Sequence, residues 1–190
     1  MPRNAFPALY FLLAALLLQC EPTFAAPNAV DIELQAVFFI RTLIYEHNTG
    51  AQTQKSIKLA IVHQAEPLAV EELIHTFSTA STNGIKGKPV EVVAIPFNKI
   101  SDLRERISAL SIDAVYIDKS ANEALSSILQ VTRALQTPSF ASSLDMVKKG
   151  ASLGVYLVDA RPRLIINLRA AQLENIVLPA GVLRVSTLIK

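Results

Sequence analysis

The chain has 190 residues, and its 18 basic and 16 acidic residues give a formal net charge of +2. That charge is too balanced for a nucleic-acid-binding domain, which usually carries a large excess of Lys and Arg. The length is that of one domain with a removable segment, and 51% of the residues are hydrophobic, in part because the N-terminus is apolar.

The N-terminus has the pattern of a secretory signal peptide. Arg3 gives a positive start, an apolar run follows over residues 5–19, and small residues end at Ala25. We therefore expect residues 1–25 to be removed on export, which leaves one domain over 26–190. The apolar run is shorter than the roughly 20 residues of a membrane span, so an uncleaved anchor is the less favoured alternative.

Cys20 is the only cysteine, and it raises a second processing alternative. It follows the apolar run, where a lipoprotein carries its lipidated cysteine, but Gln19 stands where Gly or Ala is usual. Cleavage after Ala25 would remove Cys20 and leave a mature domain without a disulfide or a reactive thiolate. Export without disulfides suits a bacterial periplasm.

Helices and strands are predicted to alternate after the signal peptide. Apolar residues at helical spacing predict a helix over 30–46, with Asn28 as its cap. The following elements are predicted from apolar runs, Pro67 and a capping-box spacing at Ser120 and Glu123: strands at 56–63, 88–96 and 112–118, helices at 67–81, 100–111 and 124–136, and a short strand at 139–142. This β-α-β-α-β-α order predicts a parallel sheet covered by helices.

The pattern changes towards the C-terminus. Two strand-like runs over 152–169 flank a turn at 159–162, which predicts a β-hairpin. Short helices at about 169–175 and 180–188 would complete the chain. The predicted fold class is a single Rossmann-like α/β domain of three layers, with a mainly parallel sheet and a C-terminal hairpin plus short helices.

The sequence shows no recognisable catalytic constellation. It contains no G-x-G-x-x-G, H-E-x-x-H or G-x-S-x-G motif. Its three histidines, His47, His63 and His75, fall on separate predicted elements without metal-ligand spacing. We therefore predict no enzymatic activity, no cofactor and no metal.

Five residues could form a ligand crevice. His63 ends the first predicted strand, while Phe97, Asn98, Asp118 and Lys119 follow the second and third. Ligands of open α/β sheets bind outside the carboxyl ends of the strands, so these residues are candidates. The favoured alternative is that they cap helices and close loops, because position in a fold is only an analogy.

Asn167 has a predicted structural role. It follows the apolar run at 164–166, where the chain enters its last helices. Short polar side chains bond to backbone groups at helix starts, and we expect the Asn167 amide to do so.

The two ends of the chain resemble the YfiR family of periplasmic proteins. At one end the signal peptide precedes "AVFFIRTLIYE", an aromatic-rich helix; at the other, a Gly-led strand turns into a strand ending in Asn-Leu, then small residues and a leucine-containing helix. The C-terminal likeness is carried by Gly150, Gly154, Ile166, Asn167, Leu168, Ala170, Ala171 and Leu183. The resemblance covers nearly all of residues 29–190.

The resemblance implies an exported, non-enzymatic regulator. Such a protein would bind a membrane signalling protein, a diguanylate cyclase or a sensor kinase, and limit cyclic di-GMP synthesis and biofilm formation. Two departures bear on this expectation. The mature chain lacks the cysteine pairs of redox-responsive members, and Tyr45-Glu46-His47 replaces the Trp-Pro that often ends the first helix.

The first helix is the predicted contact surface. Its apolar residues occupy more than one stripe, so some could stay available for a partner or a second copy of the chain after core packing. Phe38 and Phe39 are the candidate contacts.

A second class of protein competes with the regulator. The runs "SIKLAIVH" and "IDAVYID" and the closing segment also resemble parts of ABC-transporter solute-binding proteins with two α/β lobes. This shorter chain would form only a reduced version of that clamshell, so a periplasmic solute-binding protein ranks second.

Overall fold

The computed structural model describes residues 30–46 and 55–190. The predicted signal peptide with Cys20 and Ala25, the expected cap Asn28, and His47 lie outside the described residues.

A single sheet of seven strands runs through the described part of the chain, in the order β2-β1-β3-β4-β5-β6-β7. The strands are β1 Ile57–His63, β2 Val90–Pro96, β3 Ala114–Ile117, β4 Ser139–Ala141, β5 Leu153–Val158, β6 Arg161–Asn167 and β7 Thr187–Ile189. The first five strands are parallel, β6 is antiparallel to β5, and β7 is parallel to β6. The predicted, mainly parallel sheet with a C-terminal hairpin is therefore confirmed.

Helices cover both faces of this sheet. They are α1 Ile32–Tyr45, α2 Pro67–Ala80, α3 Ile100–Leu110, α4 Leu125–Leu135, α5 Leu144–Lys148, α6 Leu168–Leu173 and α7 Ala180–Val185, with a 3-10 helix at Lys119–Ala124 before α4. One core cluster joins α1 and α2 to the sheet, and the other joins α3, α4 and α5 to its opposite face. In β1, Leu59 and Ile61 belong to the first cluster, and Ala60 and Val62 to the second. The predicted three-layer arrangement is confirmed.

Four aromatic rings hold α1 and α2 on the sheet. Phe39 of α1, Phe77 of α2, Tyr116 of β3 and Phe140 of β4 are all fully buried. Phe77 and Tyr116 have ring centroids 4.6 Å apart, and Phe39 and Phe140 have centroids 5.1 Å apart. Tilted contacts of this kind add to the free energy gained from burial alone. Phe39 is 0% exposed, so its predicted role as a partner contact is wrong.

Two predicted helix starts are replaced by neighbouring residues. The Asp31 side chain accepts a hydrogen bond from the Glu33 amide at 3.0 Å and caps α1. The predicted capping box of Ser120 and Glu123 is wrong: Asp118 caps a 3-10 helix, because its carboxylate accepts from the Ser120 amide at 2.9 Å, and no side chain caps α4. The 3-10 helix that begins there carries the chain into α4.

The C-terminal region differs from the prediction in three details. The hairpin turn contains only Asp159 and Ala160, because Arg161 already belongs to β6. The φ angles of these two turn residues, 49° and 57°, are both positive. Short hairpin turns favour positive φ because it matches the twist of the strands. The helix α5 was not predicted. The last predicted helix ends at Val185, and residues 187–189 instead form β7.

We predict that Gly154 cannot be replaced without loss of stability. A Cβ atom there would lie 2.6 Å from Cγ2 of Val147 and 3.2 Å from the carbonyl oxygen of Ala141. Gly154→Ala should lower the free energy of unfolding by about 1–3 kcal/mol, the usual cost of overpacking, as measured by urea denaturation. The control is Gly181 of α7, where a Cβ would meet no atom within 4 Å. Gly181→Ala should be neutral or stabilising by up to about 1 kcal/mol, and equal losses in both variants would contradict this packing.

Candidate functional site

A cavity of about 560 Å³ opens beyond the carboxyl ends of β1, β3 and β4. The chain runs from β1 outwards to β2 and then back across to β3, so the strand order reverses between β1 and β3. This is where open α/β sheets bind ligands. The apolar part of the wall comes from α1, α2, α5, β5 and the residue before the cap of α1: Ile32, Leu73, Leu144, Val155 and Val30.

The polar floor of this cavity fixes the start of α1 to β3. The Tyr116 hydroxyl donates to Oε1 of Gln35 at 2.9 Å, and Nε2 of Gln35 donates to the Val30 carbonyl at 2.7 Å. Burial raises the pKa of Tyr116, with the charge of Asp118 as a second cause, so the hydroxyl stays protonated and remains a donor. Gln35 and Tyr116 were missed from sequence; the available signal was a glutamine on the otherwise apolar side of α1.

The structure separates the five predicted crevice residues. Asp118 and Lys119 line the cavity, whereas His63, Phe97 and Asn98 do not. Nδ1 of His63 accepts from the Ala65 amide at 3.3 Å, and the Phe97 amide donates to the His63 carbonyl at 2.9 Å. His63 and Phe97 therefore close loops, which is the alternative favoured from sequence.

Asp118 serves local structure even though it lines the cavity. Its Oδ2 accepts from the Ser120 hydroxyl at 2.5 Å as well as from the Ser120 amide. Oγ of Ser120 in turn accepts from the Gln64 amide at 3.0 Å, which ties the loop after β1 to the loop after β3. Lys119 is exposed at the cavity and is the cation nearest in sequence to this carboxylate.

A carboxylate is buried on the C-terminal side of the sheet. Glu174 follows α6, is fully buried, and is surrounded by donors from three other elements. Its Oε1 accepts from the Thr132 hydroxyl at 2.6 Å, and its Oε2 accepts from the amide and the hydroxyl of Ser139, both at 2.8 Å. The Ser152 hydroxyl also donates to Oε2. Glu174 therefore joins the segment after α6 to α4, β4 and the residue before β5.

Burial raises the pKa of Glu174 above its ordinary value of 4.5, and the hydrogen bonds from Ser152, Thr132 and Ser139 offset part of that rise. The folded protein thus binds a proton at Glu174 more tightly than the unfolded chain does. The resulting stabilisation is fully present below pH 4.5 and is lost as the pH rises through the pKa of the folded state.

We predict that Glu174→Gln flattens the dependence of stability on pH. In the wild type the free energy of unfolding should contain a component that falls as the pH rises above 4.5. Because glutamine has no proton to release, this component should vanish in the variant when urea denaturation is measured from pH 4 to pH 8. The exposed Glu105→Gln of α3 is the matched control and should keep the wild-type slope. An unchanged slope in Glu174→Gln would show that Glu174 does not titrate in this range.

Asn167 caps the first of the closing helices. Its Oδ1 accepts from the Ala170 amide at 3.1 Å, and its Nδ2 donates to the Val147 carbonyl at 3.1 Å. The side chain thus starts α6 and also fixes that start to α5, which is the kind of contact expected of an asparagine at this point.

A second concave surface lies between α1, β6 and α7. It is a groove of about 480 Å³, and we call it the basic groove because Arg41, Arg161 and Arg163 line it. Phe38, Arg41, Thr42 and Tyr45 form its α1 side at the i, i+3, i+4, i+7 spacing of one helical stripe. Phe38, the other predicted partner contact, therefore lines the basic groove. It also packs against the core cluster that joins α1 and α2 to the sheet.

No metal centre and no membrane span accompany these sites within the described ranges. Residues 30–46 and 55–190 contain no group of three or more His, Cys, Asp or Glu side chains that could hold a metal ion. Among the helices of that same part of the chain, none is both long enough and apolar enough to cross a membrane.

A family model described as YfiR/HmsC-like matches residues 33–187, so the chain belongs to the YfiR/HmsC-like family. The resemblance seen at the two ends of the sequence is thereby confirmed. Membership supports a periplasmic regulatory role within a family of non-enzymatic proteins. The comparison with curated proteins gives no match.

Three solved structures share the fold. An ABC domain from Streptococcus pneumoniae in complex with L-Trp has 15% identity and a TM-score of 0.58, with 83% of this chain and 62% of that chain covered. A conserved domain protein from Vibrio cholerae has 16% identity and a TM-score of 0.59, with coverage of 84% and 60%. The ligand-free, open form of a substrate-binding protein with adhesive properties from Clostridium difficile has 13% identity and a TM-score of 0.53, with coverage of 72% and 55%.

The present chain thus spans between 55% and 62% of the length of these three chains. At such low identities the likeness establishes the α/β fold alone.

Proposed function

We propose that this protein is an exported regulator that acts by direct contact on a membrane signalling protein, a diguanylate cyclase, and thereby controls cyclic di-GMP and biofilm formation. The observation that carries this proposal is the family match over residues 33–187. In the proposed route, residues 1–25 are a signal peptide cleaved after Ala25, and the mature domain works in the periplasm. Cys20 is the only cysteine, so the regulation would not use a disulfide switch.

The surface of α1 supports a contact mechanism. Phe39 and Leu43 are fully buried, whereas the end of the same helix leaves Ile44 at 39% and Tyr45 at 57% exposure. Phe38 is partly buried and lines the basic groove beside Tyr45. Exposed aromatic residues beside a concave surface are the usual anchors of protein interfaces.

We predict that deleting the gene raises cyclic di-GMP and increases biofilm, because a restraint on the cyclase is lost. Expression of the wild-type chain should reverse both effects, while Tyr45→Ala should reverse them only partly. Loss of one aromatic anchor costs about 1–2 kcal/mol, which corresponds to a roughly 5- to 30-fold weaker association. Phe38→Ala should also weaken association, but it removes core contacts as well, so Tyr45 gives the cleaner test.

The matched control for this experiment is Leu68→Ala. Leu68 is 81% exposed at the start of α2, away from the basic groove, so its loss should leave regulation intact. Equal melting temperatures would show that each variant is folded. Unchanged cyclic di-GMP and biofilm after deletion of the gene would overturn the proposed regulatory function.

The cavity at the carboxyl ends of the strands favours a second candidate function, the binding of a small periplasmic solute. Its volume of about 560 Å³ falls in the range of about 300–1,000 Å³ that is typical of small-molecule sites. Apolar walls, with Glu72, Asp118 and Lys119 as the charged residues of the lining, suit a solute with an apolar body and a charged group. This candidate does not exclude the first, because a solute could modulate the contact with the partner.

We predict that a solute of this kind raises the melting temperature of the wild type. At a concentration 100 times its Kd, one site adds about 2.7 kcal/mol to the free energy of unfolding. Ala69→Trp should abolish the rise, because Ala69 lines the cavity and an indole would fill it. Ser78→Trp, at an exposed position of the same helix outside the cavity, should leave the rise unchanged. A screen of small amphiphilic solutes in which none gives a shift sensitive to Ala69→Trp would count against this candidate.

A further inference from the structure

The basic groove has an apolar floor and apolar rims. Leu164 of β6 is buried at its base, and Phe38 of α1 stands beside it with part of its ring accessible. On the rims, Tyr45 is 57% and Val185 of α7 is 67% exposed. A hydrophobic side chain entering the groove would therefore meet apolar contacts on three sides.

The charged residues of the groove all have the same sign. Arg41, Arg161 and Arg163 are exposed, and no Asp or Glu is among the residues that line the groove. Within residues 30–46 and 55–190, none of the three arginines has a carboxylate partner within 4.0 Å. Like charges brought together in this way repel, and an occupant that carries carboxylates would relieve the repulsion.

The neighbouring part of the chain does not supply those carboxylates. Residues 47–54, which directly follow Tyr45 and Glu46, read HNTGAQTQ and contain no Asp or Glu. Residues 1–29 contain only Glu21, which belongs to the predicted signal peptide. These two ranges therefore do not offer a set of carboxylates to the groove, and an acidic segment of a second molecule would supply the complementary charge.

The backbone of β6 favours an extended occupant. β7 pairs with Ile165, Ile166 and Asn167 only, so residues 161–164 form the sheet edge on that side and face the groove. An extended peptide can pair with such an edge, with its side chains directed alternately to the two sides. Pro162 has no N–H to donate, so the pairing there would be short and side-chain contacts would add specificity.

We propose that the basic groove is the docking site for an extended, acidic segment of the membrane signalling protein that this chain regulates. The segment carries two or three carboxylates for the arginines and at least one apolar side chain for the floor. The inference rests on the proposed function, because it takes the regulated protein as the occupant.

The test is photo-cross-linking in living cells. Benzoylphenylalanine is placed at Val185, on the rim of the groove, and as a control at Leu110, which is 38% exposed at the end of α3. Mass spectrometry of the product from position 185 should identify a peptide of the membrane signalling protein that is rich in Asp and Glu. Position 110 should not give this product. A link from position 185 to a second copy of the chain, to lipid or to a segment without carboxylates would overturn the proposal.

Charge reversal provides the second measurement. The double variant Arg41→Glu with Arg163→Glu should reduce the cross-link at least tenfold, while Arg104→Glu, an exposed arginine of α3, should leave it unchanged. Reversing the carboxylates of the cross-linked segment to Lys should restore the link to the double variant. All variants must melt like the wild type, and a wild-type yield from a folded double variant would overturn the proposal.

The two proposals fail in distinguishable ways. If the double variant still restrains cyclic di-GMP as the wild type does, the groove is not the docking site, although the regulatory function stands. If deletion of the gene leaves cyclic di-GMP unchanged, the regulatory function fails, and with it the identity of the occupant. In that case, position 185 could still cross-link to an acidic segment of another exported protein, and charge reversal could still abolish that link. Such a result would support the groove as a site for acidic segments, but not the identity of its occupant.

Discussion

The C-terminal third of the fold depends on the hydrogen bonds around the carboxylate of Glu174. A carboxylate without access to water is costly unless donors surround it, and here they come from Thr132, Ser139 and Ser152. Those donors lie on α4, on β4 and just before β5, so the segment after α6 has one favourable position. The path of the chain into α7, which forms one side of the basic groove, starts from that position.

The helix α1 connects the core with the two concave surfaces. Phe39 anchors its middle to the aromatic cluster, and Gln35 fixes its start over β3 at the floor of the cavity. Phe38 and Tyr45 belong to the neighbouring stripe and reach the basic groove. Because α1 lines both the cavity and the basic groove, a change at the cavity that moved α1 would also change the shape of the groove. This gives a physical basis on which a solute could influence contact with a partner.

Much of the fold could be predicted from the sequence because periodicity is a local signal. The run around Leu59 and Ile61 is apolar on both faces, as a strand between two helical layers must be. Phe38 and Phe39 are adjacent, however, and periodicity alone did not decide which one faces the core. The sequence predicts a helix over about 180–188, although residues 187–189 form β7, because that strand depends on pairing with β6, a contact with residues about 20 positions earlier. The basic groove likewise unites Arg41 with Arg161, and no local pattern could reveal that proximity.

The two-residue turn between β5 and β6 bears on how this family member could evolve. Six residue pairs fix the register of the hairpin, so the turn only has to close it. It does so with Asp159 and Ala160 in the left-handed region, where a side chain with a Cβ costs roughly 1–2 kcal/mol compared with glycine. The sequence thus holds an unused reserve of stability at an exposed position. Lineages could draw on that reserve to offset destabilising changes in the groove, which would let the interaction surface diverge while the fold is kept.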